Sequence, residues 1–175
     1  MAKLDNTTLL KSVSGINLQG NTLRKELEIN NLNLLVFLRH FGWPFCRETV
    51  KDLRVIASKQ PNYPSVLFFG QGDVKETQEF FNGFWPEARA VSDKEHFFYQ
   101  AFGLKQASLS TMLTPAAWMR TVETTLKGNF VGKFVGDIWM MPGVFLVKKE
   151  DIIWQHDFKH AGDHPDFTKI PEYAK

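Results

Sequence analysis

Between Asn33 and Arg39 the chain carries a nearly unbroken apolar run, Leu34-Leu35-Val36-Phe37-Leu38. Such a run predicts a strand covered on both faces, as in the parallel sheets of α/β proteins. A helical pattern follows over about Phe45 to Lys59. Cys46, Val50, Leu53 and Ala57 recur at spacings of 4, 3 and 4, which marks one core-facing helix stripe. Pro44 suits the start of that helix, where its missing N–H costs little. Pro64 to Phe69 predicts a second buried strand, closed by Gly70 and Gly72. Asp73, with Glu76 three positions later, reads as a capping box. Its helix carries Phe80, Phe81 and Phe84 and stops before Pro86.

Ala88 to Val91 predicts a short third strand. Ser92 and Glu95 again match a capping box, ahead of a helix with Phe97, Phe98, Ala101 and Phe102 that Gly103 ends. Thr114-Pro115 opens a further helix through Trp118 and Val122 to Leu126, ended by Gly128. The span from Asn129 to Met141 is apolar and glycine-spaced and yields no assignment. Val144–Val147 and Ile152–Gln155 flank the polar Lys148-Lys149-Glu150-Asp151, which is a hairpin signal. The tail from Asp163 predicts a last short helix after Pro165. Val13 to Leu27, broken by Gly15 and Gly20, reads as a short hairpin or irregular lead-in. Strands separated by helices, with a closing hairpin, predict a mixed α/β sandwich.

No repeat or linker divides the 175 residues, so one domain is expected, with a core over about 30–170 and a lead-in over 1–30. Sixteen Phe and five Trp would build an aromatic core or line an apolar cleft. A net charge of +2 and the lack of a basic run give no footing for nucleic acid. The segment Met1 to Lys11 lacks the apolar stretch of a secretory signal. No stretch approaches the roughly 18 continuous apolar residues of a membrane span. With a single cysteine there is neither an intrachain disulfide nor a four-cysteine zinc site. Reducing surroundings, and hence the cytoplasm, are the expectation.

The single cysteine, Cys46, falls where the first long strand gives way to its helix. Unpaired amides and the aligned dipoles of a helix start favour a thiolate there, and the thiolate is the nucleophile. The alternative is an inert cysteine in an apolar core, whose pKa burial would raise. Arg47, Arg39 and His40 are candidates to supply positive charge, and Glu48 would oppose them. Arg120 is a more remote candidate. His156, His160 and His164 are spaced by four, but Gly162 and Pro165 interrupt any helix that would make them ligands. No metal is expected, and His96 reads as a helix-surface residue.

The segment from Phe37 through Gly42-Trp43-Pro44-Phe45-Cys46 to Glu48 resembles the signature of the peroxiredoxin-like, AhpC/TSA-type branch of the thioredoxin-fold superfamily, including its peroxiredoxin-like two group. Tyr99–Leu104, Met141–Val147 and Ala161–Phe167 resemble further segments of that family, in the expected order. The resemblance implies a thioredoxin-like sandwich, a central mixed sheet with helices on both faces. It also implies a one-cysteine thiol peroxidase, an antioxidant oxidoreductase with no cofactor. Its Cys46 would become sulfenic acid on a hydroperoxide and be restored by an external thiol of thioredoxin, glutaredoxin or glutathione type. Trp43, Pro44, Phe45, Arg47, Arg39 and Pro142 would bind substrate or stabilise the thiolate. Relatives often pair, so a homodimer is allowed by analogy.

Two departures stand out. Trp43 occupies the place of the first cysteine in Cys-x-x-Cys relatives and of the threonine in peroxiredoxins. Arg39 stands where a peroxiredoxin proline would be. Pro142 sits where thioredoxin-fold proteins carry a cis-proline facing the cysteine; an ordinary trans proline at a strand start is the alternative. A degenerate binding protein without redox turnover therefore stays open beside the peroxidase. So does a reductase of lipid endoperoxides or carbonyl-type substrates, which ordinarily has the two-cysteine motif.

Overall fold

A computed structural model describes residues 2–107, 135–159 and 163–174. The helix expected from Thr114 to Leu126, Arg120 and His160 lie outside these residues. Among them, seven strands form one sheet in the order β1-β7-β6-β3-β4-β5-β2. At its centre, β3 (Leu32–Phe37) pairs in parallel with β4 (Ser65–Gly70), which pairs in parallel with β5 (Arg89–Ser92). On the other side β3 pairs antiparallel with β6 (Gly143–Lys148), and β6 with β7 (Asp151–Gln155). The edges are two-residue strands, β1 (Ala2–Lys3) and β2 (Gly15–Ile16).

The unbroken apolar run of β3 serves two cores at once, because successive side chains leave a strand on opposite faces. Leu34, Val36 and Leu38 join Phe68, Val144 and Leu146 under α3 (Pro44–Lys59) and α4 (Val74–Asn82). Leu35 and Phe37 join Leu67, Phe69 and Phe145 under α1 (Asn6–Leu10), α2 (Leu23–Glu28) and α5 (Phe97–Ala101). The stripe predicted on α3 packs as expected at Cys46, Val50 and Leu53, while Ala57 is half-buried. The aromatic abundance goes chiefly into these cores, as in the Phe37–Phe69 stack at 4.3 Å.

Two local expectations change. The stretch from Val13 to Leu27 supplies β2 and α2 instead of a hairpin or an irregular lead-in. Thr22 caps α2, and the buried Glu26 carboxylate binds the Gln19 and Gly20 amides and Arg89. Six residues are too few for helical periodicity to show. His96 holds the N-cap position of α5 without a side-chain cap bond, and the side chain that satisfies the first amides is not that of Ser92 but that of Asp93. Its carboxylate accepts from the amides of Phe97, Phe98 and Tyr99 at 3.0, 2.8 and 3.2 Å, and His96 takes a left-handed φ of 57° to allow this. Ser92 ends β5 and donates to Thr77 instead. Of the two alternatives left open at Pro142, the Met141–Pro142 bond is the ordinary trans one. By contrast, Asp73 and Glu76 form the predicted capping box of α4, and the tail forms a 3-10 helix over Phe167–Ala174.

The loop between β3 and α3 is seated by glycine. The Phe41 ring lies against Gly70, where an added Cβ would come within 2.5 Å of it, and stacks on Phe80 at 4.5 Å. That contact sets the path of Arg39 and His40 into α3. Removing the Asp93 carboxylate, which is buried and holds three amides, tests the local account: Asp93→Ala should cost about 2 kcal/mol in urea unfolding, and an unchanged midpoint would contradict it.

Candidate functional site

Cys46 occupies the first turn of α3, two positions after Pro44 at the helix start. Trp43 precedes that helix without a side-chain cap, and the Cys46 amide turns back to the Trp43 carbonyl at 3.1 Å. The amide reaching the sulfur therefore comes from elsewhere: the backbone N–H of Arg39 donates to it. The sulfur is held between the end of β3 and the start of α3.

Arg39 is completely buried. Its Nε donates to the Met140 carbonyl at 2.9 Å, one terminal nitrogen donates to the Ile138 carbonyl, and the guanidinium lies 4.5 Å over the Trp43 ring. Burial lowers its pKa, while Cys46 and Asp137 act to keep it charged. Asp137 is fixed in turn by the Trp139 amide and the Gln106 side chain. The segment before β6, which carries Pro142, is thereby fastened to the cysteine loop through one side chain.

The thiolate expected from the helix start is not the resting state. Cys46 is 4% exposed, and burial pushes its pKa up to about 12, against the opposing pull of the Arg39 charge, the Arg39 amide and Arg47. Desolvation wins because a charge loses more on leaving water than one amide and a partly compensated cation restore. His40 does not add positive charge. Its burial, with Arg39 beside it, brings its pKa down to about 4, so it is neutral at pH 7. Arg47 turns toward the Phe84 ring at 5.6 Å and contributes least. Glu48 is buried, its carboxylate 4.0 Å from His164 Nε2.

A cleft opens onto the sulfur. Trp43, Phe45, Cys46, Arg39 and Pro142 line it, so the structure brings together most of the residues expected at the site. Pro44 is buried at the helix start behind them. The far wall was not anticipated: it comes from Phe158, Asp163, His164 and Phe167 in the C-terminal segment. Tyr63 fixes that wall by donating to the Phe167 carbonyl at 2.8 Å. The space is tight, about 30 Å³, room for a group of about water size. The Trp43 indole nitrogen is buried and has no hydrogen-bond partner among the described residues. His164 stacks on Phe167, and His156 pairs with Asp163 at 3.2 Å. Among the described residues no cluster of His, Cys, Asp and Glu is arranged to hold a metal.

The sequence model of the AhpC/TSA antioxidant enzyme family matches residues 51–160. The chain belongs to that family. The match begins beyond Cys46. Prostamide/prostaglandin F synthase of Salmo salar is 28% identical over 160 residues, covering 85% of this chain and 76% of that protein. Peroxiredoxin-like 2A of Rattus norvegicus is 25% identical over 158 residues, covering 86% and 66%. A solved structure of Xanthomonas campestris peroxiredoxin Q superposes with a TM-score of 0.59 at 17% identity, covering 88% of this chain and 84% of that one. The thioredoxin-like α/β architecture of this peroxiredoxin-like family member is thereby established.

A neutral buried thiol has a clear kinetic mark. Because the thiolate reacts, iodoacetamide alkylation of folded protein should climb about tenfold per pH unit from pH 7 to about pH 10 without levelling. A plateau below about pH 9 would show a thiol ionised as in solution. By the same sign, this cysteine's contribution to stability is present below the unfolded-state pKa near 9.0 and is lost as pH rises toward about 12.

Proposed function

We propose that this AhpC/TSA family protein is a one-cysteine peroxide reductase. The Cys46 sulfur attacks the outer oxygen of a hydroperoxide, the O–O bond breaks, and the alcohol or water leaves with the thiol proton. The product is Cys46 sulfenic acid. An external thiol of thioredoxin, glutaredoxin or glutathione type then attacks that sulfur and releases water. A second thiol equivalent frees Cys46 as the disulfide of the reductant forms. With one cysteine in the chain the resolving sulfur must come from outside it. The reducing cytoplasm supplies such thiols and is the proposed location.

The observation that carries this reading is the placement of one sulfur at the floor of a cleft, between an amide donor and a buried guanidinium. That pair favours the thiolate that must form before the attack, in which the sulfur gives up its negative charge and the leaving oxygen takes it on. Arg39 is in place before reaction and is held by the Met140 and Ile138 carbonyls, so little reorganisation is required of it. Trp43, in the threonine's place, offers its buried indole N–H to the peroxide oxygens. A space of about 30 Å³ admits the O–O end of a hydroperoxide alone; an organic hydroperoxide needs Phe45, Phe158 or Phe167 to move, and their apolar faces suit its carbon side. Relatives named as prostamide/prostaglandin F synthases support an oxygenated lipid as a substrate to include in the assay.

The raised thiol supports a second reading, a protein that binds a ligand in the same cleft without turnover. At about 12, the resting pKa leaves about one thiolate in 10⁵ at pH 7. Peroxide consumption with dithiothreitol as reductant separates the two readings. Wild type should consume hydrogen peroxide or cumene hydroperoxide at a rate that Cys46→Ser lowers at least about a hundredfold. Equal rates in the two proteins would remove the reductase and leave the binding protein.

A further inference from the structure

Tyr99 is fully buried on the face of the sheet opposite α3, and nothing in the chemistry above uses it. Its phenol donates to the Leu38 carbonyl and also lies 3.0 Å from the Phe69 carbonyl. The Phe69 carbonyl already accepts the Leu38 amide at 2.9 Å. The carbonyl of Leu38 and the amide of Arg39 belong to one peptide unit, and that amide is the donor to the Cys46 sulfur. A continuous path thus runs from the phenol proton through one peptide plane to the thiol. Hydrogen bonds in such a series strengthen one another: a donor on the carbonyl draws charge from the peptide nitrogen and makes its N–H the stronger donor.

We propose that Tyr99 is a positioning residue for Cys46, stabilising its thiolate through the Leu38–Arg39 peptide. The inference rests on the peroxide-reductase reading for its use, because only a sulfur that must ionise gains from it. The tyrosine is itself held in register. Asp93 accepts the Tyr99 amide and those of its two predecessors, so the start of α5 is tied down next to the sheet. The side chain cannot drift from Leu38 without leaving a core in which Phe37 meets its ring edge-on at 5.1 Å.

Other groups also bear on the sulfur. Arg47 comes from α3, Arg39 and neutral His40 from the loop before it, and Asp163 and His164 from the far wall of the cleft. Glu48 lies by His164, and Asp137 faces Arg39. None of these is altered by removing the phenol oxygen, which isolates the peptide path.

The test compares the pH dependence of Cys46 alkylation by iodoacetamide in wild type, in Tyr99→Phe, and in protein with 3-fluorotyrosine at position 99. Thiolate absorbance is read in parallel against Cys46→Ser. Tyr99→Phe should slow alkylation about threefold or more at every pH below the thiol's pKa. The fluorinated phenol, a stronger donor, should speed it about twofold. A loosened core would speed alkylation in Tyr99→Phe, the opposite sign. If Tyr99→Phe does not fold, the fluorinated protein decides. A pH profile equal to wild type in a folded variant, or a shift of opposite sign, overturns the inference. Peroxide takes no part in this measurement. Wild type that consumes no peroxide while its thiol responds to position 99 rejects the reductase alone, and active wild type with an unresponsive thiol rejects the role of Tyr99 alone.

Discussion

A single buried cation organises the functional end of this molecule. The Arg39 guanidinium reaches from the end of β3 to two carbonyls, Met140 and Ile138, about a hundred residues later in the chain. Its own backbone amide holds the Cys46 sulfur, and its flat face covers Trp43. A buried charge is tolerated only when its protons are satisfied and a negative partner is near. The Met140 and Ile138 carbonyls and the Asp137 charge share that duty. The segment that brings Pro142 to the cleft is therefore bound electrostatically to the loop that carries the cysteine. Disturbing either would leave the guanidinium short of partners.

The same arrangement sets two effects against each other at the sulfur. Phe158 and Phe167 close the cleft from the C-terminal side and help keep water out. Exclusion of water raises the thiol's pKa, and it also strengthens every charge that acts on the thiolate once formed. A closed neutral state leaves the single cysteine a weak nucleophile. A state in which a peroxide supplies hydrogen-bond partners in the cleft would let the Arg39 charge count in full. The chain's departures from the usual family pattern converge on this balance, since Arg39 and Trp43 stand together where a proline and a threonine are expected.

Much of the architecture was legible in the residues because it depends on short-range pattern. The β3 run and the α3 stripe announce themselves, and Asp73 with Glu76 states the start of α4. The hairpin of β6 and β7 follows from two apolar runs around charged residues, with Lys149 at a positive φ in the turn. What escaped is non-local or too short to be periodic. The six-residue α2 is stabilised by Glu26 reaching Arg89 on another strand. Asp93 outcompetes Ser92 at the start of α5 because its carboxylate can accept three amides. The position of Cys46 at a helix start was readable, but its protonation was not. Part of what buries it, Phe158 and Phe167, lies more than a hundred residues away, and the amide that binds it belongs to the preceding strand end. At Pro142 the family likeness suggested a cis bond and the residues alone an ordinary one, and the bond is trans.

The proposed reductase turns on oxidation of one atom, the Cys46 sulfur. The direct measurement is mass spectrometry of protein treated with one equivalent of hydroperoxide in the presence of dimedone, which traps sulfenic acid. A dimedone adduct is expected on Cys46 in most molecules, and free thiol in its place when a thiol reductant acts before the trap is added. Cys46 recovered unmodified, with the peroxide left unconsumed, would contradict it.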